Sequence, residues 1–354
     1  MEKEIPNPAI VDVPFMIERF HDMPYRRLGQ SGFQASCIGL GTWKFGYPET
    51  GDSSRVDEKI AFQILDKAID LGVTFWDTAN RYNNGSGNSE RLIGRWLKNN
   101  PRQRRNIVLA TKLSGGMDGY TPNHCGLSRA NILESVYASL DRLQCEKIDL
   151  LYFHSYDSLT PVEESLSAIE DLVSRDFVRY FAVSNFTVDQ LRLYQLVEHH
   201  LSVRCRVIAV QNQFDIINRE KNQPGVLEHC KQTGVSFIAF SPLGRGLLTS
   251  RYLDKSKVGP GDRLYDEGTL LKDLSPETVH QLNLLADLAR QNRVEISQLA
   301  LAYMLQLPGM GPVIPASSNI QQLESNAAAG KLALSTELIE KIHKALNQQG
   351  SLAI

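Results

Sequence analysis

The sequence predicts an α/β fold, a closed (β/α)8 TIM barrel with an N-terminal β-hairpin. Three observations carry that expectation. Short apolar runs alternate with amphipathic helical patterns from residue 37 to the C-terminal region without a break. The runs number eight, which favours closure into a barrel over an open sheet. The run Ile148–Phe153 is apolar at almost every position, as a strand covered on both faces must be.

The elements follow in order. Residues 1–24 read as an extension with prolines at 6, 8, 14 and 24. Arg27–Phe33 reads as a hairpin, its turn being Gly29-Gln-Ser-Gly32 between short alternating runs. The strand candidates are Cys37–Leu40, Thr74–Asp77, Ile107–Thr111, Ile148–Phe153, Val178–Val183, Val207–Gln211, Val235–Phe240 and Pro312–Pro315. Helical patterns fall at Val56–Leu71, Ser89–Asn99, Ser128–Leu143, Val162–Ser174, Val188–Glu198 and Gly225–Thr233. Pro276–Gln291 and Ser297–Gln306 form a pair, and Asn319–Ala328 and Thr336–Leu346 close the chain. Thr160-Pro161 and Ser275-Pro276 supply helix starts, with Glu163, Glu164 and Glu277 in the first turns where the helix dipole favours them. No compositional break marks a second domain, so 25–354 is expected to be one barrel.

Composition narrows the function. A net charge of −2 gives no basic field for nucleic acid or an anionic membrane. Cys37, Cys125, Cys145, Cys205 and Cys230 are odd in number and contain no Cys-x-x-Cys, which suits reduced thiols rather than a disulfide framework. The adjacent His199 and His200 lack metal-ligand spacing, and no metal site is expected. The N-terminus has no apolar signal region and no run is long enough to span a bilayer, so the cytoplasm is the expected location.

The chemistry concentrates at the ends of three successive strand candidates. Asp77 and Tyr82 end one, Lys112 ends the next, and His154 ends the third. In a parallel barrel these ends share one face, where active sites are built. A lysine ammonium beside a phenol favours phenolate and is expected to lower the Tyr82 pKa, with Asp77 holding the lysine. His154 can then orient a carbonyl that exchanges a proton on oxygen. Two chemistries use such a set: hydride transfer with a nicotinamide, or a Schiff base on Lys112. No Gly-x-Gly-x-x-Gly leads a strand into a helix and no P-loop occurs, so any dinucleotide binds without a Rossmann fold.

Asp77-Thr-Ala-x-x-Tyr82, Ala110-Thr-Lys112, His154, Val183-Ser-Asn185, Val210-Gln-Asn212 and Ala239-Phe-Ser-Pro-Leu-Gly244 resemble the aldo-keto reductase superfamily, from about Tyr25 to Leu346. Ser241–Gly246 and Ser317–Leu323 resemble the branch holding potassium-channel β-subunits and bacterial sugar and aldehyde reductases. The resemblance implies a barrel that binds NAD(P)H across its top and reduces a small-molecule aldehyde or ketone. It implies a tetrad of Asp77, Tyr82, Lys112 and His154, with Tyr82 as general acid. Ser184, Asn185 and Gln211 then hold the nicotinamide amide, and Phe240 stacks on its ring. Ser241, Pro242, Leu243, Gly244 and Arg245 form the pyrophosphate loop, with Arg251 as its basic contact. Ser318, Gln322 and Asn326 fall at the adenosine end, and Gly41, Thr42 and Trp43 near the nicotinamide.

Many relatives grip the 2′-phosphate of NADPH with Lys and Arg where this chain has Ala316 and Gln322. Ser325 stands at the usual acidic adenine contact. The channel-subunit branch shares the glutamine and uses an arginine of the preceding loop, a role open to Arg263, so NADPH is expected over NADH. Trp43, Phe45 and Tyr47 are expected to wall the substrate side. The Ser114–Leu127 loop should overhang it, and Asn80, Asn83, Asn84, Tyr156 and Asp157 should add polar groups, a rim suited to a sugar. One rival is a cofactor-sensing regulatory subunit with slow chemistry. Channel-type subunits keep Asp, Tyr and Lys but lose the histidine, whereas His154 is present.

Overall fold

A computed structural model describes residues 18–346, apart from 118, 202, 255 and 257. Most of the expected extension lies outside those residues. Three short strands, β1 (Arg19–Phe20), β2 (Met23–Arg27) and β3 (Gln34–Ser36), form an antiparallel sheet. The β2–β3 turn carries the expected glycine pair, and Arg27 pairs with Gln34.

The second sheet is parallel and runs in chain order: β4 (Gly39–Gly41), β5 (Phe75–Asp77), β6 (Val108–Leu113), β7 (Ile148–Phe153), β8 (Val178–Ser184), β9 (Val207–Gln213), β10 (Ser236–Phe240) and β11 (Met310–Ile314). Backbone bonds close it into a barrel: Val313 N donates to Cys37 O at 3.0 Å, and Gly41 N to Pro315 O at 3.0 Å. The strand boundaries shift by one or two residues from the sequence expectation at β4 and β11, as boundaries do.

Around the barrel lie α1 (Glu58–Asp70), α2 (Tyr82–Gly85, a turn whose Asn83 and Asn84 are left-handed), α3 (Asn88–Asn99), α4 (Arg129–Leu143), α5 (Val162–Ser174), α6 (Val188–Glu198) and α7 (Val226–Thr233). They are followed by α8 (Arg263–Asp266), α9 (Leu270–Asp273), α10 (Pro276–Gln291), α11 (Ile296–Met304), α12 (Ile320–Ala329) and α13 (Thr336–Ala345). Their starts are locally encoded. Asp57, Ser128, Ser275 and Ser335 each accept a first-turn amide, and Thr187 with Gln190 forms a capping box. The one-turn helices α8 and α9 sit in the long β10–α10 connection and were not expected from periodicity, being too short to show any.

Strand alternation sorts the core into two. Phe75, Ala110, Tyr152, Ala182, Ala209 and Ile238 belong to the barrel interior with Leu28 and Ala35 of the hairpin. Their neighbours Trp76, Leu109, Leu151, Phe181, Val210 and Phe237 join the core shared with the helices. The hairpin therefore stoppers the N-terminal end of the barrel. Gly29 makes this possible: it has φ 60°, its N–H donates to Ser236 Oγ at 2.7 Å, and a Cβ there would collide with the Ile208 carbonyl.

Candidate active site

Two residues beyond each interior position just named, the same face continues to the open end of the barrel. Phe75 leads to Asp77, Ala110 to Lys112, Tyr152 to His154, Ala182 to Ser184, Ala209 to Gln211, and Ile238 to Phe240. Six of the residues singled out in the sequence are thus delivered by strand pleat alone. Tyr82 arrives differently, on the turn after β5.

Lys112 is 1 % exposed. Its Nζ donates to Asp77 Oδ2 at 2.6 Å, to Tyr82 Oη at 2.7 Å and to Thr78 O at 2.9 Å. An ammonium has three N–H donors, and all are engaged. The Tyr82 hydroxyl donates to Asp77 Oδ2 at 3.2 Å, and the other carboxylate oxygen accepts Gln211 Nε2 at 2.7 Å. The Tyr82 and His154 rings stand edge to face, their centroids 6.1 Å apart. The structure brings all four tetrad positions together.

The electrostatics differ from the expectation at one point. Burial pushes the Tyr82 phenol well above its ordinary pKa, and the Asp77 carboxylate adds to the rise. The expected lowering by Lys112 is overturned because an anion shares the same hydroxyl and the phenol loses hydration. Burial likewise lowers the Lys112 pKa, against the opposing pull of Asp77. Burial, then the charges of Lys112 and Arg81, bring His154 down to about 3. The site therefore offers a protonated phenol and a neutral imidazole at ordinary pH.

The remaining positions ring the same mouth. Gly41 ends β4 and Thr42 and Trp43 follow it, but Thr42 is buried and its hydroxyl donates to Asp77 O at 2.9 Å, which commits it to the scaffold. Ser184 Oγ donates to Gln211 O at 2.8 Å. Asn185 takes the left-handed conformation, φ 58°, and its Nδ2 donates to His154 O at 2.9 Å. Phe240 is the one half-buried residue of an otherwise buried β10.

In the loop beyond, Ser241 and Arg245 are also left-handed, and Gly244 is buried beside Asp215. Pro242 and Leu243 complete that turn. Arg245 pairs with Glu267 at 2.9 Å and with Asp273, and Arg251 with Asp262 at 2.9 Å. Arg263 shares Glu267 at 2.7 Å and lies over the Trp43 ring at 4.4 Å. Beyond β11, Gln322 Oε1 on α12 accepts both the N–H and the hydroxyl of Ser318 at 2.9 Å, and Asn326 is buried against Ser317.

Three expected rim residues are not on the rim. Phe45 is 1 % exposed and packs in the core, and Asn80 and Asn83 are buried. Asn83 donates to Phe45 O at 2.6 Å, so it ties the tyrosine turn to the β4 loop.

Among the described residues no cluster suits a metal ion, and no helix is long and apolar enough to cross a membrane. A profile of the Aldo/keto reductase family matches residues 37–347. The chain belongs to the aldo/keto reductase family. Members are oxidoreductases that reduce small carbonyl compounds, generally with nicotinamide cofactors.

L-glyceraldehyde 3-phosphate reductase of Escherichia coli K12 is 32% identical over 92% of this chain and 93% of its own. An aldo-keto reductase of Alternaria alternata is also 32% identical, over 92% and 93%. A probable voltage-gated potassium channel subunit beta of Oryza sativa is 29% identical over 90% and 95%. Reductases and a channel subunit thus both stand among the relatives, as the resemblance implied.

Other supports were invisible in the sequence of this aldo/keto reductase. Glu90 is fully buried, accepts Thr111 Oγ1 at 2.6 Å and pairs with Arg142 Nε at 2.7 Å, directly behind Lys112. Asp52 accepts Tyr47 N at 3.0 Å and Asn88 Nδ2 at 2.8 Å, bracing the β4 loop against α3. The only sequence signal for either was an acidic residue at a position that folds inward.

Proposed function

We propose that this aldo/keto reductase is an NADPH-dependent reductase of aldehydes or ketones, sugars among them, with Tyr82 as general acid. One observation carries the reading: the Tyr82 hydroxyl lies within hydrogen-bond reach of both Lys112 and Asp77, at the barrel mouth beside a neutral His154.

The residues present fit a nicotinamide dinucleotide. Asn185 Oδ1 makes no hydrogen bond among the described residues, which leaves an acceptor for a carboxamide, with Ser184 and Gln211 beside it. Phe240 offers a half-exposed aromatic face. Arg245, Arg251 and Arg263, with the backbone from Ser241 to Gly244, bring the cations and amides that phosphates require. Gly41 and Trp43 border the nicotinamide end, and Ser318, Gln322 and Asn326 the adenosine end. With Ala316 and Gln322 at the family's usual Lys and Arg positions, the loop arginine Arg263 is assigned to the 2′-phosphate, for which it would have to leave the Trp43 ring and its Glu267 partner.

When bound, the reduced cofactor supplies a hydride to carbonyl carbon. The chain manages the oxygen. His154 donates one ring N–H to it, and Tyr82 gives up its phenolic proton. The phenolate left behind is met by the Lys112 ammonium, which is held in place by Asp77, itself held by Gln211.

A Schiff base on Lys112 is disfavoured, because a nucleophilic amine cannot also donate all three of its N–H bonds. Titrating NADPH and NADH by protein fluorescence, followed by a carbonyl screen with the tighter one, tests the proposal. NADPH should bind more tightly and be oxidised when an aldehyde is added. A protein that binds neither dinucleotide refutes it.

A further inference from the structure

We propose that Arg81 forms a subsite for an anionic group on the substrate, so that carbonyl compounds carrying a carboxylate or a phosphate are preferred. The inference rests on the reductase reading above and narrows its substrate class.

Arg81 immediately precedes Tyr82, so the turn that places the phenol also places the guanidinium. The side chain is exposed and lies against the loop that follows β6, where Nη1 donates to Gly116 O. Bare backbone surrounds it. A Cβ at Gly115 would collide with the Arg81 side chain and come 2.9 Å from its Nε; Cβ positions at Gly85 and Gly116 fall 4.0 Å from Nη1. Gly115 is the position that leaves room for this side chain, since the 4.0 Å approaches at Gly85 and Gly116 are ordinary contacts.

No acidic side chain pairs with Arg81 among the described residues. The neighbouring charges are committed elsewhere. Asp77 and Lys112 neutralise one another at 2.6 Å. Asp157 accepts the N–H groups of Leu127 and Leu159 and the Thr160 hydroxyl. His154 is kept neutral by burial first, then by the Lys112 and Arg81 charges. Among the described residues Arg81 therefore keeps a positive charge with no carboxylate partner, next to the turn that carries Tyr82. Among the described residues one of the five N–H groups of the guanidinium is used, and the remaining fork matches a carboxylate or phosphate oxygen pair.

The test compares matched aldehydes with the full-length protein and saturating NADPH: butanal with succinic semialdehyde, and glycolaldehyde with glycolaldehyde phosphate. The wild type should show higher kcat/KM for the charged member of a pair. Arg81→Gln should cut the charged-to-neutral ratio by roughly 10- to 100-fold, mainly through KM, and Arg81→Lys should restore part of it. A preference within one pair only identifies which anion the subsite takes. A ratio near unity in the wild type, or one unchanged in Arg81→Gln, overturns the proposal.

The corresponding alcohols are titrated calorimetrically as well, which needs no turnover. If no aldehyde is reduced yet the charged alcohol binds and loses affinity in Arg81→Gln, the subsite stands and the reductase reading fails. If charged and neutral alcohols bind alike in both proteins, the subsite falls.

Discussion

Tyr82 keeps its proton because two effects outweigh its lysine: loss of hydration and the Asp77 carboxylate. That fixes the pH behaviour. The acid is in its working form at neutrality and beyond, and His154, brought down to about 3, stays neutral above that value. The chemical step of reduction should therefore be flat from about pH 5 to 9, which single-turnover rates across buffers would check. A limb near pH 6.5 would mean that His154 titrates normally. The same histidine affects stability with a definite sign. The unfolded chain takes up its proton near the ordinary value of 6.5 and the folded one only near 3, so stability falls as pH drops through that window. His154→Gln should flatten this acid-side loss in urea titrations at pH 4 and pH 7.

At the scale of elements, the site is held by what lies behind it. The fully buried Glu90 ties α3 to β6 through Thr111 and to α4 through Arg142. Breaking such a buried pair costs about 3–5 kcal/mol, because the remaining charge keeps its burial and loses its partner. Glu90→Ala should lose stability on that order in denaturant unfolding, and a loss under about 1 kcal/mol would show that the pair contributes little.

The loop after β4 is braced in a second way. A Cβ on Gly46 would come 2.5 Å from Asp52 Oδ2 and 2.9 Å from Asn83 Nδ2, at the junction joining that loop to the tyrosine turn. Gly46→Ala should cost about 1–3 kcal/mol by overpacking. It should also slow turnover, since the turn that moves carries Tyr82. Wild-type turnover in a stably folded variant would show that the junction does not position the acid.

For the molecule as a whole, the barrel was legible because its signal is periodic and repeated. Each βα unit contributes an apolar run and an amphipathic helix, so errors of one or two residues at β4 or β11 do not disturb the count. The site was legible for a related reason: alternation carries the buried pattern of β5, β6 and β7 straight to Asp77, Lys112 and His154. What escaped detection was not periodic. The left-handed turns at Asn83, Asn84 and Asn185, and the four-residue α8 and α9, have no repeating pattern to read. The direction of the Tyr82 shift depends on burial and on which oxygen of Asp77 faces it, and neither exists before the chain folds. Phe45 was mistaken for a pocket wall because an aromatic after a strand looks alike whether it faces the mouth or the core.

The hairpin offers a test remote from the chemistry. Gly29→Ala should destabilise by about 1–3 kcal/mol, through strain at φ 60° and the clash with Ile208, while the folded fraction keeps its turnover. Loss of turnover without loss of stability would contradict the view that the hairpin only closes the barrel floor.

The central claim is that Tyr82 protonates the carbonyl oxygen during reduction by a bound nicotinamide. Single-turnover oxidation of bound NADPH by wild type and Tyr82→Phe, with an aldehyde in excess, tests it most directly. The account predicts a fall of roughly 100- to 10,000-fold in the variant, with NADPH affinity held within about threefold. An undiminished rate in Tyr82→Phe would contradict it.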